Sequence, residues 1–447
     1  MTECIAQLDL GFHPQLPVRL GFDAPEITSD AGGLLLRQID DRLEVTAGFS
    51  DCLPDERDPI RVVHDRHEQT RQRIYQIALG YEDCNDADTL RHDPLLKSVC
   101  DRTPNDPVGL SSQPTLSRFE NAPDGLTIRR LSRWLEQSYV DALEEGTEVV
   151  VLDIDATDDE THGQQQLSFF HGFYDHHMYH PLMVYDGVSG QLISALLRPG
   201  NTHACHGALG LLRRIIRRIQ RRLPEATIVV RGDAGFAMPK LMAELERLGV
   251  DYLLGIGKNA RLKHFAEPTM CWAAELFERR SRTVKCYTSF EYAAATWPHT
   301  RRIIAKAEHS ALGSNPRFVV TSLEGFDPET MYRAYIQRGL CEQWIKDFKC
   351  ALAADRLSCS SFAANSFRLL LHVAAYRLLH ALRQEAALVS PELGRAQFDT
   401  LRIRLLKVAA LVRQSVRRIW VQLPRSYPSR HTFAWLAERM NAPPLPA

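Results

Sequence analysis

The chain has 447 residues, room for about three domains at roughly 150 residues each and for a core that needs no disulfide or metal staple. Hydrophobic residues make up 45% and charged residues 24%, which excludes a collagen, a coiled-coil rod and a disordered polypeptide. The formal net charge is −1, but the charges are segregated. Residues 21–60 hold ten acids, Asp23 and Asp30 among them, against three Arg, and residues 377–430 hold eleven bases against three acids. The run LLRRIIRRIQRRL places six Arg in ten positions with no acid. Such segregation creates local positive fields that a global sum hides.

No apolar run approaches the ~20 residues that span a bilayer. The opening MTECIAQLDLGF has neither a basic stretch nor a long apolar core, so the cytoplasm is the expected compartment. The ten cysteines, from Cys4 to Cys359, are scattered without a C-x-x-C pair and read as reduced thiols.

Residues 1–145 read as a mostly helical N-terminal domain suited to DNA binding. Ser29-Asp30 offers an N-cap to GGLLLRQIDDRL, and HEQTRQRIYQIALGY is periodic up to Gly80. Shorter helices in DADTLRHDPLLKSVC and SQPTLSRFENAP suit a helix-turn-helix-like unit. At 146 the pattern changes. TEVVVLDID is a β-branched strand, MYHPLMVYD and QLISALLRP form a hairpin, and NTHACHGALGLLRRIIRRIQRRL is an amphipathic helix. ATIVVRGD, MPKLMAELERLG and DYLLGIG continue as strand, helix and strand. This order predicts an α/β fold, the mixed sheet of an RNase H-like core, over 146–257. Residues 258–325 read as a β-rich insertion. From 326 to 440 the chain returns to the core with a helix and then basic C-terminal helices, helical to about 420, before the Pro-rich NAPPLPA.

Three acids stand at informative places. Asp153 and Asp155 end the first strand on one face, so periodicity does not separate them. Asp233 ends the fourth strand between glycines, and Glu342 lies on the helix that starts near 328. Ligands of α/β sheets gather at strand carboxyl ends. Three convergent carboxylates offer hard oxygens to two Mg²⁺ ions, which suits phosphodiester displacement. At 100° per residue, Tyr335, Arg338, Glu342 and Lys349 fall in one 60° stripe, beside a core seam of Cys341, Ile345, Phe348 and Leu352. An acid between two cations and a phenol fits a phosphate backbone passing the metals. Arg217, Arg218, Arg221 and Arg222 offer further phosphate contacts.

The spacing Tyr-x2-Arg-x3-Glu-x6-Lys at Tyr335, Arg338, Glu342 and Lys349 resembles the signature around the third acid of DDE insertion-sequence transposases, in the group that often excises through DNA hairpins. With LDIDATDDETHGQQQ, HHMYHPLMVYD, VVRGDAGFA and EQWIKDFKCALAADRLSC, nearly the whole chain resembles the bacterial transposase DDE domain, group 1, family. The resemblance implies an RNase H-like catalytic core and two Mg²⁺, with Mn²⁺ as a substitute. It implies cutting at terminal inverted repeats, strand transfer into target DNA, a homodimer in the DNA complex, and a protein associated with the nucleoid when bound. It carries over Asp155, Asp233 and Glu342 as catalytic and metal-binding residues. Asp155-Ala156-Thr157 fits the family's first acid better than Asp153, which stays the alternative.

Three further readings compete: an inactive or domesticated DNA-binding protein, an RNase H-like nuclease without strand transfer, and a zinc hydrolase. The last would use His162, His171, His176, His177, His180, His203 and His206, but these lack the H-E-x-x-H spacing and suit turn or phosphate contacts. Tyr292 and Trp297 read as core, or as rings for an unpaired base.

Overall fold

The computed structural model describes residues 8–441 except 11, 13, 17 and 23. Cys4, Asp23 and residues 442–447 of the Pro-rich end lie outside the described residues. The chain forms two compact units, one from residues 1–119 with 381–447, the other from 120–380.

The first unit begins with a hairpin of β1 (Leu8–Leu10) and β2 (Val18–Leu20), then β3 (Ile27–Thr28). Helices follow: α1 (Gly33–Leu43), α2 (Val45–Asp51), α3 (Arg66–Leu79), α4 (Ala87–Leu90), α5 (Pro94–Val99) and α6 (Gln113–Asn121). In α3 the Asp65 carboxylate accepts from the Glu68 amide, and Gly80 at φ 95° ends the helix as its left-handed cap. The expected cap at Ser29-Asp30 does not form. Gly32 occupies the N-cap of α1 without a side-chain bond. Asp30 is instead buried, paired with Lys407 at 2.7 Å and accepting from the Tyr81 hydroxyl.

The second unit opens with α7 (Gly125–Asp141) and β4 (Val149–Ala156). A small sheet follows, β5 (Asp159–Glu160), β6 (Phe169–His171) and β7 (His176–Tyr179), in the order β5-β7-β6. The segment MYHPLMVYD is therefore not one strand. Pro181, which cannot donate to a ladder, separates β7 from β8 (Leu182–Asp186). Next come β9 (Leu192–Leu196), α8 (Ala208–Arg222), β10 (Thr227–Gly232), α9 (Pro239–Arg247) and β11 (Asp251–Ile256). Strands β11-β10-β4-β8-β9 are adjacent in that order. β4, β10 and β11 are parallel, and β8 and β9 are antiparallel to their neighbours. This is the RNase H-like arrangement. Ile215, Ile216 and Ile219 of α8 pack on Val150, Leu152 and Ile154 of β4 and Val230 of β10 in one buried core.

Residues 258–325 contain the strands expected there, with a helix the sequence reading did not include. They begin with a 21-residue helix, α10 (Ala260–Arg280), capped by Asn259. The strands β12 (Val284–Tyr292), β13 (Arg301–Ser310), β14 (Gly313–Ser314) and β15 (Arg317–Thr321) then continue the core sheet, because β15 pairs antiparallel with the open edge of β11. Tyr292 is buried in the core and Trp297 packs against it, as the core reading of both has it.

The chain goes on through α11 (Pro328–Ile336), α12 (Gly339–Lys346), a π-helical turn at Asp347–Ala351, and α13 (Phe362–Ala387). Back in the first unit are α14 (Pro391–Gly394), α15 (Phe398–Leu401), β16 (Ala410–Gln414), β17 (Ile419–Gln422) and α16 (Arg430–Asn441). Helix to 420 was expected; the chain instead forms a β-hairpin whose inner strand pairs with β3. Ala410 and Val412 are buried while Arg413 is exposed, the period-2 pattern of a strand. Among the described residues no helix is long and apolar enough to cross a membrane.

Candidate active site

The parallel pairing of β4 with β10 sets the site. Its last pairs are Asp153 with Arg231 and Ile154 with Gly232. Asp155 and Asp233 each follow that last pair by one residue, so both stand at neighbouring strand carboxyl ends. Gly232 keeps this junction tightly packed: a Cβ there would lie 3.1 Å from Ile154 and 3.2 Å from Leu254 and Phe236, closer than most Cβ contacts.

Asp153 and Asp155 share a strand face but meet different surroundings. Asp153 is fully buried, and both its oxygens accept from Arg231, Nε at 2.6 Å and Nη2 at 2.7 Å. Arg231 also donates to the Gly187 and Ala334 carbonyls, tying β4, the β8–β9 turn and α11 together. Burial raises the Asp153 carboxyl, and Arg231 pulls it back. Asp155 is 14% exposed. One oxygen accepts from the Ala156 amide at 2.9 Å and the other from Arg338 Nη1 at 3.1 Å. Burial pushes its carboxyl up to about 6, against the pull of Arg338 and with added push from Asp233 and Glu342. Asp233 accepts from the Gly235 amide at 2.9 Å.

The third acid does not sit on one straight helix. Between α11 and α12 the backbone tightens into three-residue bonds, with the Arg338 amide to Tyr335 O, Leu340 to Gln337 O and Cys341 to Arg338 O. The stripe drawn at 100° per residue is therefore corrected: a tight turn interrupts it and a π-helical turn widens it at Lys349. The core seam holds, with Cys341, Ile345, Phe348 and Leu352 all buried. Arg338 bridges Asp155 and, at 3.4 Å, Glu342, whose side chain is 69% exposed. Lys349 donates to the Asp158 carboxylate at 2.9 Å and carbonyl at 2.8 Å, and to Thr157 Oγ1 at 3.4 Å. Tyr335 places its hydroxyl where a Cβ on Gly255 would come within 2.6 Å. Arg338, Glu342, Tyr335 and Lys349 thus surround the carboxyl ends of β4 and β11.

The Arg-rich face of α8 divides. Arg214 and Arg218 clamp the fully buried Glu136 carboxylate at 2.6 and 2.8 Å, and Arg213 pairs with Glu244. Arg222 pairs with the exposed Glu145 at 3.0 Å. Arg217 and Arg221 are exposed. Arg218 is thus placed as a packing group within the unit. His180 donates from Nδ1 to the Thr202 carbonyl at 2.7 Å, and His176 lies 3.7 Å from Asp158. Among the described residues no group of three or more His, Cys, Asp or Glu side chains is placed to hold a metal ion.

Two neighbours of the candidate residues escaped the sequence reading: Arg231, which occupies Asp153, and Asp158, which receives Lys349. Arg231 carried a legible signal, because an Arg inside the apolar run ATIVVRGD must find a buried partner. Asp158 had none, since its partner is 191 residues away.

No curated protein matches the chain. Among solved structures it is similar to the piggyBac transposase in a synaptic complex with hairpin DNA. The TM-score is 0.44 and the identity 11%, over 94% of this chain and 83% of that one. A family model described as transposase DDE domain, group 1, matches residues 12–444. The chain belongs to the transposase DDE domain group 1 family and is a DDE transposase.

Proposed function

We propose that the protein binds the terminal inverted repeats of an insertion sequence, cleaves DNA there, and transfers the strand to target DNA. Asp155, Asp233 and Glu342 would hold two divalent cations, Mg²⁺ with Mn²⁺ as a substitute. The observation that carries this is the convergence of Arg338 on Asp155 and Glu342 at the carboxyl ends of β4 and β10. The ligand type suits such ions, since carboxylates are hard oxygen donors, and binding would draw together three acids that the free protein does not gather into one metal-holding group. Asp155 is also pushed up by burial and by the other two acids, a repulsion that a cation among them relieves. Cations held by these acids would supply activation of the attacking oxygen and stabilisation of the leaving one.

The chain's own groups do the rest. Asp153 is committed to Arg231, which leaves Asp155 as the first acid. Arg338 bonds Asp155 and Glu342 in the free protein and can turn a guanidinium edge toward a phosphate. Lys349 fixes the segment after β4 through Asp158 and carries a second cation to the backbone, and Tyr335 flanks them. Arg217, Arg221 and Arg222 would make phosphate contacts, the helical N-terminal region would recognise the ends, and a homodimer would join two ends. The nuclease reading without strand transfer keeps the same acids, and strand-transfer products separate the two.

Asp233→Asn should retain end binding in a gel-shift assay and lose cleavage of an element-end duplex in Mg²⁺. Parental cleavage by this variant would overturn the assignment.

A further inference from the structure

The small sheet β5-β7-β6 has no part in the RNase H-like order, yet it grows directly from the catalytic strand. β4 ends at Ala156, and β5 starts three residues later at Asp159. Lys349 pins this root through Thr157 and Asp158. From there β6 and β7 form a finger with the turn Gly172-Phe173-Tyr174-Asp175. The turn is held tightly: the Tyr174 and Asp175 amides both donate to the His171 carbonyl at 3.1 and 2.9 Å, and the Phe173 amide donates to His171 Nδ1 at 3.3 Å.

The finger has two faces. Tyr174 packs on His171 and His180 at ring distances of 5.1 and 6.0 Å and on His176 at 6.1 Å. His176 in turn faces Asp158, and the Tyr174 phenol feels the charges of Asp158, Asp155 and Asp233, which with burial raise it. This face looks to the acids. At the tip, Phe173 packs edge-on against Tyr174 at 5.1 Å and is still 84% exposed, while on the other face Phe170 is 51% exposed and lies against His177 at 5.9 Å. Large rings on a fixed turn beside a charged site are an unusual use of apolar surface. A base stacked inside a duplex has no free face for such a ring; an unpaired base has one, and stacking on an aromatic is indifferent to base identity.

We infer that the β6–β7 finger is a stacking platform for an unpaired nucleobase next to the scissile phosphate, with the exposed Phe173 as the stacking ring, braced edge-on by Tyr174. The inference rests on the DNA reading above and deepens it by naming a positioning element. Tyr174 and its histidines set the finger's angle to the acids.

The test uses the full-length protein and two duplex probes of one sequence. One is blunt; the other ends in a single unpaired 2-aminopurine. Fluorescence anisotropy gives the ratio of affinities, and 2-aminopurine quenching reports stacking. The parental protein should prefer the unpaired probe by roughly 5- to 150-fold, the range of one base–aromatic stack, and quench it. Phe173→Ala should bring the ratio near one and abolish quenching, while Phe173→Trp should keep both. Melting curves of both variants should lie close to the parent's, since Phe173 is mostly exposed and its one ring contact is with Tyr174 at the tip of the finger. Binding of neither probe by the parental protein overturns the DNA reading and this inference with it. Binding of both probes without preference, or a preference that survives Phe173→Ala, overturns the inference alone.

Discussion

Asp153→Asn and Asp155→Asn should fail in opposite ways. The first keeps the shape of a fully buried side chain and removes its charge. Arg231, 7% exposed, then retains the Gly187 and Ala334 carbonyls at 3.1 and 2.9 Å but loses the carboxylate that balances it. Breaking one side of a buried ion pair costs about 3–5 kcal/mol. The retained carbonyl bonds and the amide oxygen place this case near the lower end, about 3 kcal/mol. At about 2–4 °C per kcal/mol for a unit of this size, the melting transition should fall by about 6–12 °C. Asp155→Asn removes a carboxyl that burial and two neighbouring acids already push up to about 6, and Arg338 keeps Glu342. That variant should melt close to the parent and cut nothing. The assay is calorimetry alongside cleavage of an element-end duplex in Mg²⁺. The double variant Arg231→Met with Asp153→Leu should regain part of the lost stability, because removing both charges leaves neither unpaired. If Asp153→Asn melts like the parent and is inactive while Asp155→Asn cleaves, Asp153 is the reacting carboxylate and the reasoning here is wrong.

Arg218→Ala should lower stability by about 2–3 kcal/mol, because it strips one clamp from the buried Glu136. Replacing the exposed Arg217 and Arg221 together should leave melting unchanged and reduce the salt slope of DNA binding by about 0.9 per lost phosphate contact; a slope equal to the parent's would exclude them from the interface. The His180 ring is held near pKa 4 by burial, with the charges of Arg198 and His171 adding to it and the Thr202 carbonyl opposing it. The unfolded chain takes up that proton near pH 6.5 and the folded one only near 4, so stability present above 6.5 is lost as pH falls through that window. With solvent screening the loss is about 1–2 kcal/mol. Denaturant midpoints from pH 7 to 4 should show it, and His180→Gln should flatten the profile; an equal slope in the variant would assign the loss elsewhere. Lys349→Ala frees the root of the finger from Asp158 and should cut the rate by roughly 100-fold, the scale of a small misplacement. A parental rate in that variant would make the Lys349–Asp158 contact incidental.

Periodicity and composition alone carried much of this protein. The strand–strand–strand–helix–strand–helix–strand order of the core follows from apolar runs and turn residues, because strands buried on both faces cannot hide their pattern. Asp155, Asp233 and Glu342 were legible as acids at element ends. The seam of Cys341, Ile345, Phe348 and Leu352 was legible because buried helix faces repeat. What sequence could not separate was Asp153 from Asp155, since alternation puts both on one face. The register of β4 against β10 gives them different surroundings by setting Arg231 opposite Asp153, the difference on which the proposal for Asp155 rests. The straight helix through Tyr335 and Lys349 failed because a few backbone bonds shift from four-residue to three-residue spacing, a change with little side-chain signature. The tail at 410–422 became strands because β3, nearly 400 residues earlier, supplies an edge to pair with. Arg218 looked like its exposed neighbours until α8 met Glu136. For Asp153, the 410–422 strands and Arg218 the deciding partner lies far along the chain, and only folding brings it within bonding distance.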